Sequence, residues 1–311
     1  MKKQYPYDPR LPKPIIRFLD YKIPRFIIKP TRRLYDKTVQ YYNYPSDIKH
    51  TDIDIPFGKG TIRSLLVEPV GISDNAPIII YYHGGGFFFP LHMNHINNAI
   101  MWAEKTGVKV MMPNYRLAPE DPFPTPFDDC WETYKYVLDN AEKLGIDKKR
   151  IAVYGDSAGG ALAAAVAQMA RDSGTQKPCL QMLIYPVTDH TMKGETIRKY
   201  PKAAWTSASN KEMWKWYLRT GDHGRIQYAS PLSAKDFKDL SPAYVEPHEV
   251  DCLCSEGIMY YDKLNEAGND CELNVIKGSY HAADGLVDNA MIKEVLSHRF
   301  DVMIKYLKAQ Q

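Results

Sequence analysis

A chain of 311 residues with 44% apolar side chains suits one large α/β domain or two small ones, with a sizeable buried core. The net charge of +3, from 40 Lys plus Arg against 37 Asp plus Glu, argues against a nucleic-acid-binding surface spread over the molecule. Five cysteines with no CxxC pair argue against a disulfide framework or structural metal, and no apolar run nears the roughly 18 to 20 residues of a membrane-spanning helix, so a soluble cytoplasmic chain is expected.

The chain opens on Met1-Lys2-Lys3, but Pro6, Asp8, Pro9, Pro12 and Pro14 stand where a secretory signal would carry its apolar centre. Residues 1–33 hold ten Lys or Arg and two Asp, interleaved with Ile15, Ile16, Phe18, Leu19, Phe26, Ile27 and Ile28. A segment lying on a membrane surface would look like this. A helix folded over the protein is the simpler expectation, and seven of the 22 tyrosines in residues 1–47 suit the first part of an aromatic lid.

Residues 48–68 read as two strands around the turn Phe57-Gly58-Lys59-Gly60. Short apolar strands then alternate with helical patterns: strands at 78–82, 108–112, 151–154, 180–184, 243–245 and 273–276, helices at 94–105, 126–144, 158–172, 255–266 and 288–308. Such alternation builds a mostly parallel sheet covered on both faces. Residues 190–229 interrupt it and hold three of the five tryptophans, Trp205, Trp214 and Trp216. The expected organisation is a lid part at 1–47, a core at 48–189, a lid insertion at 190–229 and the rest of the core at 230–311. No internal repeat or low-complexity tract is evident.

The chemistry begins where Ile151-Ala152-Val153-Tyr154 runs into Gly155-Asp156-Ser157-Ala158-Gly159-Gly160 and a helix-forming stretch. This is the G-x-S-x-G nucleophile elbow, in which a strained turn lifts a serine hydroxyl above the sheet and glycines remove side chains that would clash. Alone the pattern is weak, arising by accident in about one chain in twenty of this length. His83-Gly84-Gly85-Gly86-Phe87 follows an apolar strand and can turn backbone donors toward a tetrahedral oxyanion, so Gly84, Gly85 and Ala158 are the expected donors. It lacks the G-K-S/T ending of a phosphate loop.

A serine hydroxyl needs a base, and the base a carboxylate that fixes its tautomer. His281 and Asp251 fall just after later strands and keep the chain order Ser, Asp, His of this hydrolase class. His248 is the chief rival base, and Glu249 and Asp284 are rival acids. His83 is read as a supporting hydrogen-bonding group, Asp156 as a local acceptor, and His92, His95, His190, His223 and His298 as helix or lid surface residues. Cys252 and Cys254 are read as buried inert thiols.

Together with Tyr115-Arg116-Leu117-Ala118-Pro119-Glu120, the His83 and Gly155 motifs resemble the hormone-sensitive-lipase family of esterases, from about residue 50 to the C-terminus. The resemblance implies an α/β-hydrolase fold: a mostly parallel eight-stranded sheet with helices on both faces and a helical lid. It also implies a serine carboxylesterase that forms an acyl-enzyme on Ser157 and requires no cofactor and no metal. Phe87, Phe88, Trp205 and Trp214 are the expected substrate-binding residues, in a compact apolar pocket suited to short acyl chains. Two departures touch the site: Ala282-Ala283 follow His281 where the family has glycine and an aromatic residue, and Glu246-Pro247-His248 replaces a more apolar run before Asp251. The expected partner is a small-molecule ester, and a homo-oligomer is left open. The same residues would suit an amide or peptide hydrolase, and relatives that bind ligands without turnover lose triad members that this chain keeps.

Overall fold

The structure is a computed structural model that describes residues 5–14, 25–58 and 60–308. In chain order its elements are α1 (Arg25–Gln40), β1 (Ile48–Phe57), β2 (Gly60–Pro69), β3 (Ala76–Tyr82), α2 (Met93–Thr106), β4 (Lys109–Pro113), α3 (Thr125–Asp139) and β5 (Ile146–Asp156). Then come α4 (Ala158–Asp172), β6 (Leu180–Ile184), α5 (Thr196–Lys199), α6 (Ser207–Tyr217), α7 (Ile226–Ala229), β7 (Ala243–Glu246), α8 (Cys254–Glu266), β8 (Cys271–Leu273) and α9 (Ala290–Lys308).

The strands form one eight-stranded sheet in the order β1-β2-β4-β3-β5-β6-β7-β8. β2 runs antiparallel to both β1 and β4, and every pairing from β4 across to β8 is parallel. Successive side chains of a strand point to opposite faces. Ile78, Ile80 and Tyr82 accordingly enter the core layer that α3, α4 and α8 cover, while Ile79 and Tyr81 enter the layer under α2 and α9. A strand buried on both faces has no polar side to alternate, which is why these strands read as continuous apolar runs. α4 is sandwiched so tightly that 12 of its 15 residues are buried, and its Ala-Gly-rich sequence is what allows that approach.

Three elements differ from the sequence reading by three residues or more at one end, the others by at most two. β5 begins at Ile146 rather than 151, because the charged run 147–150 extends the strand past its apolar centre. α3 stops at Asp139 and turns through Asn140 to Gly145 instead of continuing to 144. β8 lies at 271–273 rather than 273–276. Pro247 has no amide to continue the ladder, so pairing with the strand beyond Leu273 resumes only as a bridge between His248 and Ile276.

The N-terminal segment and the insertion meet at the loop end of the sheet. Lys202 donates its amide to the Tyr5 hydroxyl at 3.2 Å, and the Tyr5 and Tyr200 rings meet edge-on. Asp8 donates its amide to the Gly278 carbonyl and Tyr280 its hydroxyl to the Pro12 carbonyl, so residues 5–14 brace the loop that carries His281. From α1, the Arg32 guanidinium reaches the Phe88 and Ala118 carbonyls and the Glu120 carboxylate. Of the apolar residues behind the membrane-surface reading, Ile15, Ile16, Phe18 and Leu19 lie outside the described residues. Of the rest, Phe26 is exposed and Ile28 buried. No helix among the described residues is long and apolar enough to cross a membrane.

Candidate active site

The strand order turns back between β3 and β5, and a crevice opens beyond the carboxyl ends of strands at such a reversal. β3 delivers the His83 loop there and β5 delivers Ser157. Ser157 has φ +54° and ψ −119°, a conformation costing about 1–3 kcal/mol for a non-glycine residue. Its neighbours hold it. The Ser157 amide donates to the Ile184 carbonyl at 2.8 Å and its carbonyl accepts from the Val187 amide at 3.1 Å. A side chain at Gly159 would collide with the Tyr82 carbonyl, so only glycine lets the elbow sit this close to β3.

β7 and the irregular continuation of its pairing bring the other two loops together. Ile276 donates its amide to the Pro247 carbonyl, and Glu249 and Val250 donate theirs to the Ile276 and Ser279 carbonyls. As a result His281 Nδ1 lies 2.6 Å from Asp251 Oδ2, and His281 Nε2 lies 3.0 Å from Ser157 Oγ. Asp251 is fully buried and accepts the Leu253 amide on its other oxygen at 3.1 Å. The arrangement can carry a proton from the hydroxyl to the imidazole while the carboxylate keeps the ring in the tautomer that accepts it.

The rivals are engaged elsewhere. Glu249 accepts the Gly278 amide at 2.8 Å, and Asp284 accepts Arg299 at 2.8 Å and the Tyr185 hydroxyl at 2.7 Å. His248 is fully buried, with Nδ1 2.7 Å from the Tyr280 carbonyl and Nε2 3.4 Å from Glu246. His83 is stacked on Tyr115, and burial pushes its imidazole down to about 3, which keeps it neutral. His95 is buried rather than superficial: its ring packs against those of Tyr81 and His83, and it shares a reciprocal capping box with His92 at the start of α2. Cys252 and Cys254 are buried free thiols, both pushed up by burial, Cys254 to about 12.

The oxyanion donors need one correction. The Gly84 amide donates to Asp156 Oδ1 at 3.1 Å, because Gly84 lies directly against that carboxyl; a side chain there would strike Asp156 Oδ2. Among the described residues the Gly85, Gly86 and Ala158 amides donate to no protein acceptor. Of the expected substrate-binding residues, Phe88 lies 6.4 Å from Trp205, whose ring stands 5.9 Å from the His281 ring. Phe87 instead stacks on Tyr217 at 3.7 Å, with Trp214 at 6.1 Å.

Asp156 Oδ1 also accepts the Tyr81 hydroxyl at 2.8 Å. Burial, helped by the Asp284 charge, outweighs those hydrogen bonds and pushes the carboxyl up to about 6. A folded-state value above the unfolded one means that the folded protein holds an extra proton between about pH 4 and 6. The stabilisation is complete below that window and is lost as the pH rises through about 6. In urea titrations at pH 4 to 7, the unfolding free energy of the native protein relative to Asp156→Asn should therefore fall by up to roughly 1.4 kcal/mol per pH unit across the window. A difference that stays flat with pH would contradict it.

Sequence reasoning missed the fully buried Arg299, whose Nε lies 3.0 Å from Glu246 Oε1 and whose Nη1 pairs with Asp284. Tyr244 donates to Glu246 Oε2 at 2.6 Å, and the Tyr185 ring lies 4.7 Å from that of His281, so the cluster sits behind the imidazole. Burial raises the Glu246 carboxyl, but the Arg299 charge and the hydrogen bonds from His248 and Arg299 overcome it and leave it below its ordinary value. A signal existed: Arg299 falls on the apolar stripe of α9, among Ile292, Val295, Leu296, Val302 and Met303.

A family model described as α/β hydrolase fold matches residues 79–284. The chain is 35% identical over 213 residues to the carboxylesterase NlhH of Mycobacterium tuberculosis, covering 66% of each chain. It is 35% identical over 207 residues to an ethyl acetate hydrolase of Pseudomonas putida, covering 65% of this chain and 64% of that one. The matches thus span just under two thirds of these relatives' own length. A solved structure of an esterase from Pyrobaculum calidifontis superposes with a TM-score of 0.84 at 32% identity, covering 94% of this chain and 98% of that one.

Proposed function

The chain belongs to the α/β-hydrolase-fold family, in its hormone-sensitive-lipase-like esterase branch, and from that premise we propose that it is a serine carboxylesterase working through Ser157, His281 and Asp251. The observation that carries this reading is the continuous contact from Ser157 Oγ through His281 to Asp251, 3.0 and 2.6 Å in its two steps. Ser157 Oγ attacks the ester carbonyl carbon while His281 Nε2 takes its proton. The Gly85, Gly86 and Ala158 amides hold the oxyanion, with the last at the N-terminal end of α4, where the helix dipole favours negative charge. His281 then protonates the departing alkoxide, and a water activated by the same imidazole cleaves the acyl-enzyme.

Trp205 and Phe88, close to His281 and to the glycine loop, leave a short apolar wall beside the acyl group. Among acetate, butyrate and decanoate p-nitrophenyl esters, kcat/KM is expected to be at least tenfold lower for decanoate than for butyrate, a difference of about 1.4 kcal/mol in transition-state binding. A preference for decanoate would reject the compact pocket. The reading as a whole is tested by intact mass after a fluorophosphonate probe, with the adduct expected on the peptide containing Ser157.

A further inference from the structure

The insertion places unpartnered donors beside this site. Asn210 lies in the first turn of α6 and is fully buried, and its Oδ1 accepts Trp205 Nε1 at 3.1 Å. An indole can only donate, so that bond fixes which end of the amide is oxygen and leaves Nδ2 facing away from Trp205. Among the described residues Nδ2 has no acceptor. One turn further along the same face, Trp214 is also buried with Nε1 unpartnered, its ring 6.1 Å from those of Phe87 and His190. The Tyr217 hydroxyl, three residues further along that face, is bare as well; buried donors are nearly always satisfied, and three bare ones on one stripe call for an acceptor from outside the chain. Their place is informative. Trp205, to which Asn210 is tied, stands over His281, and Phe88 and Phe87 belong to the loop that carries the oxyanion amides.

We propose that the acyl-side wall formed by α6 selects esters whose acyl chain carries a hydrogen-bond acceptor oxygen, ether or keto, which Asn210 Nδ2 and Trp214 Nε1 receive. This rests on the esterase reading above and narrows its substrate class from short alkyl esters to short oxygen-bearing ones. Sites that hydrogen-bond a substrate group discriminate sharply against the analogue lacking it, because the site's own donors are then left unpaired.

The test uses three pairs of p-nitrophenyl esters matched in length: methoxyacetate with butanoate, 3-methoxypropanoate with pentanoate, and 4-methoxybutanoate with hexanoate. Each kcat/KM is divided by the ester's rate with hydroxide, which removes intrinsic reactivity. At least one oxygen-bearing ester should exceed its carbon partner by tenfold or more, and Asn210→Leu should bring that ratio to near one, with Trp214→Phe reducing it. The ratio reads selectivity whatever the absolute activity of a variant. Ratios near one in the native enzyme overturn the inference, as does a preference that survives in both variants, while Ser157-dependent hydrolysis of the carbon esters leaves the esterase reading standing. Failure of the native enzyme to hydrolyse any of the six overturns both.

Discussion

Ser157→Ala should lower kcat for p-nitrophenyl butyrate by on the order of 10⁵ to 10⁶-fold with little change in KM, because the variant lacks the hydroxyl that His281 Nε2 faces at 3.0 Å. The residues act as one unit, so His281→Ala should fall by a similar factor and the double variant should fall no further. Asp251→Asn keeps the shape but offers the imidazole the wrong partner, and a loss of about 10⁴-fold is expected. What remains should still exceed the uncatalysed rate, since the elbow and glycine-loop amides survive in every variant. Stopped-assay kinetics on the four proteins, with circular dichroism to establish folding, check this. A Ser157→Ala protein within tenfold of native kcat would reject the assignment.

The second large effect concerns stability. Arg299→Met should destabilise the fold by about 3–5 kcal/mol, because it leaves Glu246 and Asp284 buried without the cation that compensates them. For a chain of this size that corresponds to a fall in Tm on the order of 10 °C. The penalty lies in the stranded carboxylates rather than in lost attraction. Arg299→Met combined with Glu246→Gln should therefore be less destabilised than the sum of the two single variants. Calorimetry on the four proteins measures the coupling. Additive losses would mean that Arg299 acts through packing alone.

How much was legible in the sequence follows from the range of the physics involved. The elbow, the glycine loop and α4 are local. Their glycines and alanines are dictated by contacts within a few residues or with the adjacent strand, so 158–172 was read with both ends correct. The buried strands were legible because a strand covered on both faces must be apolar throughout, yet the charged run 147–150 hid the first half of β5. The Gly84 assignment failed for a reason no linear reading contains: Asp156 is 72 residues away and takes that amide. Arg299, Glu246 and Asp284 likewise look like ordinary charges until the fold closes them together. Glu246 and His248 had stood out as a departure beside Asp251, which was the trace their burial left in the sequence.

The three side chains proposed for the reaction are numbered 157, 251 and 281, and the contacts bracing the last come from residues 8 and 12. During synthesis the serine, its strained turn and the glycine loop are made before either the acid or the base. The general base arrives some 120 residues later, and its brace, made long before it, must wait for it. Nascent chains that stop short of residue 281 would hence carry a hydroxyl with no partner to deprotonate it, and esters in their surroundings would be safe from them until the loop bearing the imidazole had docked.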